Sequence, residues 1–150
     1  MANNLDSPNY INYMNVTTIR EFKEGSLTDL FTFTQVLEKL NSIGCESYCM
    51  DLSRIRLTVY GLKGDFHEES LSTNSSLQSI LTVSSVFDPV LIEKALTEIK
   101  KDNNFVNFLI SIAAAGVSYY QVFLKSGLLH YIGRNGDILT RNLLGFYKKQ

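Results

Sequence analysis

The sequence predicts an α+β domain made of two copies of one helix-helix-strand-meander unit, with the helices packed on antiparallel sheet around a pseudo-twofold axis. Three observations point there. The hydrophobic period changes from helical to alternating after Gly44 and again after Gly116. The ending TVYGLKGD at 58–65 returns as HYIGRNGD at 130–137. An offset of 72 residues, the step from Gly44 to Gly116, carries Phe33 to Phe105, Leu37 to Leu109, Tyr48 to Tyr120, Leu52 to Leu124, Leu57 to Leu129, Gly61 to Gly133, Gly64 to Gly136 and Asp65 to Asp137 without a gap.

Each element has a local cause. Residues 1–14 are Asn-rich, contain Pro8 and lack a period, which predicts a flexible tail. A helix within Val16–Lys23 follows on a weaker apolar pattern. Phe33, Val36, Leu37 and Leu40 then fall on one helical face, with Thr32 and Gln35 spaced as a capping box and Gly44 placed as a terminating glycine. Tyr48, Met50 and Leu52 alternate with Ser47, Cys49 and Asp51, which is a strand half buried on one face. A turn at Ser53 and Arg54 leads into a strand at Arg56–Gly61. Lys63-Gly64 reverses the chain into a short strand near Phe66–Ser70, and the Ser-rich run LSTNSSLQS at 71–79 is a connector.

The second half repeats the plan. Asp88 caps a helix with Pro89 at its first position and Ile92, Ala95, Leu96 and Ile99 on its apolar stripe, running to about Lys101. Asn104 caps a further helix that buries Phe105, Phe108, Leu109 and Ile112 and stops at Gly116. Strands are expected at Tyr119–Leu124, Leu128–Gly133 and Ile138–Asn142, the last two joined by Asn135-Gly136 in a type I′ turn with positive φ at both residues. One copy alone cannot bury its apolar face, so residues 15–150 are read as one domain holding repeats at about 15–71 and 87–143.

Composition narrows function mainly by exclusion. With 45% hydrophobic and 19% charged residues and a net charge of -1, the chain shows no electrostatic footprint for nucleic acid or anionic lipid. It has neither a secretory signal pattern nor an apolar run long enough to span a bilayer, which leads us to expect the cytoplasm. Cys45 and Cys49 are the two cysteines, and with His67 and His130 they show no metal-ligand spacing. They read as structural thiols, and no metal or cofactor is expected.

The stretch AAAGVSYYQV at 113–122, followed by HYIGRNGD, resembles an uncharacterised bacterial family of unknown function that includes the prophage-encoded YdfO and YbcV proteins, sometimes labelled phage envelope protein. The resemblance runs over residues 16–142 and includes a looser first copy, GCESYCMDL at 44–52. That copy has Cys45 and Val59-Tyr60 where the pattern has valine and a tyrosine pair. The resemblance implies a duplicated α+β fold and carries no activity, substrate or catalytic residue; nothing in these residues supports the envelope label.

Candidate site residues come from strand alternation. If Tyr48, Met50, Leu52, Tyr120, Val122 and Leu124 face the helices, the other face carries Cys49, Asp51, Thr58, Tyr60, Tyr119, Gln121, Phe123 and His130. Aromatic walls beside a few polar groups suit a small ligand, and the same composition suits a protein partner or an isologous homodimer. The reading is therefore a non-enzymatic ligand- or protein-binding, regulatory domain using Cys49, Asp51, Tyr60, Tyr119, Gln121 and His130. The alternative is a small enzyme with His130 as general base, aided by Asp51 or Tyr119, in a pocket between the repeats. No nucleophile elbow, zinc-protease helix or phosphate loop is present. Asp65 and Asp137 are explained as turn residues, and Arg54, Arg56, Arg134 and Arg141 are scattered over the hairpins.

Overall fold

The computed structural model describes residues 8–27, 32–61, 63–71, 77 and 80–143, with side chains from Val16 onward. Among the described residues four helices, α1 (Pro8–Leu27), α2 (Phe33–Ser42), α3 (Pro89–Asp102) and α4 (Phe105–Ala114), cover one face of a six-stranded antiparallel sheet. The strands are β1 (Cys45–Asp51), β2 (Arg56–Gly61), β3 (Phe66–Ser70), β4 (Val117–Phe123), β5 (Leu128–Gly133) and β6 (Ile138–Asn142), in the order β3-β2-β1-β4-β5-β6. The fold class is thus the α+β arrangement that the pattern predicts.

Two boundaries differ from expectation. α1 begins at Pro8, so residues 8–14 of the anticipated tail are helical, whereas residues 1–7 lie outside the described residues. Proline's fixed φ suits a first helical position, and the inward stripe Ile19, Phe22, Lys23 and Ser26 hides the helix from an apolar count by burying a lysine and a serine. β4 begins at Val117 rather than Tyr119, across a bulge between those residues; β1 has the same irregularity between Cys45 and Ser47. Most of the 71–79 connector lies outside the described residues.

The capping chemistry is present as written in the sequence. Thr32 Oγ1 accepts from the Gln35 amide at 3.2 Å while Gln35 Oε1 accepts from the Thr32 amide at 2.9 Å. Asp88 accepts from the Val90 and Leu91 amides, and Asn104 from the Asn107 amide. Such a cap contributes about 1 kcal/mol.

The strand order reads the same from either end, and the central contacts exchange under the 72-residue offset. β1 and β4 pair as Ser47 with Phe123, Cys49 with Gln121 and Asp51 with Tyr119. The Leu52 amide donates to the Ser118 carbonyl at 2.8 Å, and its counterpart, the Leu124 amide, donates to the Glu46 carbonyl at 3.1 Å. The outer hairpins match as well. Gly61 donates to the Asp65 carbonyl and Gly133 to the Asp137 carbonyl, both at 2.8 Å, while Gly64 and Gly136 donate back to Gly61 and Gly133.

That geometry corrects the type I′ turn. Gly136 has φ +93° but Asn135 is not in the left-handed region, so the loop is the longer three-residue form, a turn that ends in one left-handed glycine. Gly64, at φ +84°, plays the same part in the first half.

The core lies between helices and sheet. Leu37, Leu40, Leu57, Ile92, Leu109, Ile112 and Val122 are wholly enclosed, each worth about 1.5–3 kcal/mol of transfer free energy. A segment at 84–88 straps the end of α4: Ser84 and Asp88 donate to the Ala113 and Ala115 carbonyls at 2.9 and 2.8 Å. Gly116 sits beneath this strap at φ +94°.

Candidate functional site

The face of the sheet away from the helices carries Cys49, Asp51, Thr58, Tyr60, Tyr119, Gln121, Phe123 and His130. Cross-strand registers line up Thr58, Cys49, Gln121 and His130 as one row over β2, β1, β4 and β5. Asp51, Tyr119 and Ile132 form a second row, and Phe66, Tyr60, Ser47, Phe123 and Leu128 a third. Each of these side chains is half-buried or exposed, and no described element packs over them.

Within this face the polar groups are already engaged. The His130 ring stands edge-on to Phe123 with centroids 5.2 Å apart. Gln121 hydrogen-bonds the Cys49 thiol, whose pKa is pushed up to about 11 by burial and by the neighbouring Asp51 charge, against that hydrogen bond. Asp51 Oδ1 accepts from the Ser53 and Arg54 amides at 3.0 and 3.1 Å, closing the β1–β2 turn.

The pairing of His130 with Asp51 does not form. Asp51 is on β1 and His130 on β5, two strands apart at about 4.8 Å per strand, and in different rows. Asp65 and Asp137 are farther apart still, on hairpins at opposite ends of the sheet. Among the described residues no three His, Cys, Asp or Glu side chains converge as metal ligands.

A concave feature lies on the opposite side, between sheet and helices. Its floor is Tyr48, Tyr120, Leu129 and Tyr131 from three adjacent strands, and its walls come from all four helices, including Phe22, Val36, Leu96 and Phe108. The cavity volume is about 50 Å³, and the cavity opens to solvent. Phe33 and Phe105, Val36 and Phe108, and Tyr48 and Tyr120 line it as pairs related by the 72-residue offset, so it sits where the two halves meet.

Aromatic edges shape this cavity. Phe22 meets Tyr48 edge-on at 5.6 Å, Phe108 meets Tyr120 at 6.3 Å, and Tyr120 lies 5.7 Å from Tyr131. Burial raises the phenol pKa of both Tyr120 and Tyr131, so both stay neutral and keep their protons to donate. Ser26 and Asn103 add polar atoms, and among the described residues no Asp, Glu, Lys, Arg or His is in the lining. His130 is excluded by alternation, since its neighbours Leu129 and Tyr131 point inward.

The cavity was not legible in the alternation pattern, which assigns faces but cannot register a gap in packing. Its trace in the sequence is three tyrosines, Tyr48, Tyr120 and Tyr131, at inward positions of the strands β1, β4 and β5, whose other inward residues include Met50, Val117, Val122 and Leu129.

A separate ionic cluster ties α1 to the edge strand β3. Lys23 Nζ lies 3.1 Å from Glu69 Oε1, Arg20 Nε 3.0 Å from Oε2, and His67 Nε2 2.6 Å from Oε2. Burial alone would raise the Glu69 carboxyl, but hydrogen bonds from His67, Lys23 and Arg20 outweigh it and hold the pKa at about 2. Lys23 also donates to the Ser70 carbonyl at 3.3 Å. Every charge here has a partner, which marks the cluster as a clamp between elements.

Residues 93–147 match the model of a family described as a protein of unknown function (DUF1398). The match begins within α3, runs through α4 and β4–β6 and continues to residue 147, so it falls on the second half of the chain. No curated protein matches the chain. Among the described residues no helix is long and apolar enough to cross a membrane.

Proposed function

We propose that the protein is a non-enzymatic, regulatory binding domain that takes a small uncharged molecule into the cavity between helices and sheet. The ligand is an aromatic or branched apolar group carrying one hydrogen-bonding function. The observation that carries this reading is the lining, which among the described residues has aromatic and aliphatic walls, neutral phenols at the floor and no ionisable side chain of Asp, Glu, Lys, Arg or His type. An ionic ligand would be desolvated there without a counter-charge, at a cost of several kcal/mol.

Size sets a second constraint. At about 10–15 Å³ per water, 50 Å³ holds about three to five water-sized spheres, enough for one small group, with the rest of the ligand in the mouth. We read the two halves as copies of one unit, which makes a site on their shared axis common to both. Because the helices that wall the cavity belong to both copies, an occupant would stiffen their packing together, and that is the physical basis for a regulatory output.

The test is a thermal-shift series with p-cresol, indole and benzoate. Saturating p-cresol or indole, at about 100 times the dissociation constant, stabilises the fold by about 2.7 kcal/mol. Benzoate, similar in size but anionic, gives no shift. Stabilisation by benzoate alone, or by none of the three, would overturn the reading.

A further inference from the structure

We propose that the bare outer face of the sheet binds a second copy of the same chain, forming a face-to-face homodimer centred on β4 and β5. The proposal rests on this face and not on the cavity, which lies on the other side of the sheet.

The composition of the face supports an interface with itself. Its centre carries Tyr119, Phe123, Leu128, His130 and Ile132, none of them charged by a carboxylate, lysine or arginine, and Ile138 on the adjacent edge strand is 55% exposed. The charged residues in the three cross-strand rows, Asp51, Arg56 and Glu68, are gathered on the β1–β3 side, where Arg56 and Glu68 lie 3.6 Å apart. Depletion of charge with enrichment of Tyr and Phe is the signature of an interface core. Two such sheets pack about 10 Å apart with interdigitated side chains, as in sandwich folds.

The area is sufficient. Six strands about 4.8 Å apart, each presenting three outward positions about 6.8 Å apart, make a face of about 600 Å². Two copies that cover the whole face together bury about 1,200 Å², at the lower bound of stable specific interfaces.

Sedimentation velocity from about 1 to 200 µM tests this, with Ile132→Glu on the face, Ile132→Val as conservative rescue, and Leu91→Glu on the exposed start of α3 as control. The expected result is a concentration-dependent dimer in the wild type, weakened at least tenfold in Ile132→Glu and unchanged in Ile132→Val and Leu91→Glu. Circular dichroism of the dilute monomers establishes that each variant is folded. A wild-type protein that stays monomeric throughout would overturn the proposal, as would a dimer that survives Ile132→Glu or dissolves with Leu91→Glu. Wild-type dimerisation that persists when cavity ligands fail to bind separates this inference from the functional reading.

Discussion

Replacing Gly116 and Gly136 separately by alanine distinguishes two demands that a glycine can meet. Both have left-handed backbones, at φ +94° and +93°. At Gly136 a Cβ meets nothing within 4 Å, so Gly136→Ala carries only the conformational cost of about 1–2 kcal/mol. At Gly116 the Cβ would stand 2.2 Å from the Val86 carbonyl oxygen and 2.7 Å from the Phe87 Cα, both backbone atoms of the strap over α4. The strap cannot retreat without loosening its bonds to Ala113 and Ala115. Overpacking of this kind adds about 1–3 kcal/mol, bringing Gly116→Ala to about 2–5 kcal/mol. At about 2–4 °C per kcal/mol for a domain this size, the expected falls in melting temperature are about 2–8 °C for Gly136→Ala and about 4–20 °C for Gly116→Ala. Thermal denaturation followed by circular dichroism measures both. Equal losses, or a milder effect at Gly116, would refute the idea that the strap presses on this position.

Other outcomes follow from the clamp, the buried titrating groups and the caps. Glu69→Gln leaves Lys23 without its counter-charge and lowers stability at neutral pH by about 3 kcal/mol, read by urea denaturation. Because the folded carboxyl sits near 2 against an ordinary 4.5, its contribution is complete above about 4.5 and is lost as pH falls toward 2; there the variant and the wild type converge. At high pH the sign reverses. Cys45 and Cys49 are raised from 9.0 to about 12 and about 11, so stability is full below 9 and drains as pH climbs through those values, with phenolate absorbance of Tyr120 and Tyr131 appearing only on unfolding. Asp88→Ala removes the acceptor for two amides and costs about 1 kcal/mol, measured the same way.

Local chemistry made most of the architecture readable. The bounds of β2, β3, β5 and β6 follow from alternation between turn residues, and Thr32, Asp88 and Asn104 announce helices through their side-chain acceptors. Where the reading slipped, a non-local or degenerate signal was responsible. Asn135-Gly136 serves several hairpin forms, and only the actual backbone distinguishes them. α1 hid behind Lys23, a buried cation whose partner Glu69 is 46 residues away. Strand alternation placed Cys49, Asp51, Tyr60, Tyr119, Gln121 and His130 on one face correctly, but it could not reveal that Asp51 is committed to its own turn. The cavity depends on how Phe22, Leu96 and Phe108 from different helices fall short of filling the space above three tyrosines, a property of packing and not of pattern.

The most direct test of cavity binding is a methyl and aromatic NMR titration with p-cresol on the wild type and on Val36→Phe. The 72-residue offset places Val36 opposite Phe108, so Val36→Phe inserts in the first half the ring that the second half already carries, filling the void from within. The expected result is saturable shifts at Leu96, Leu129, Phe108 and Tyr131 in the wild type, no shifts at Gln121 or His130, and at least tenfold weaker binding in a folded Val36→Phe. Shifts centred on the outer face, or undiminished binding in Val36→Phe, would contradict it.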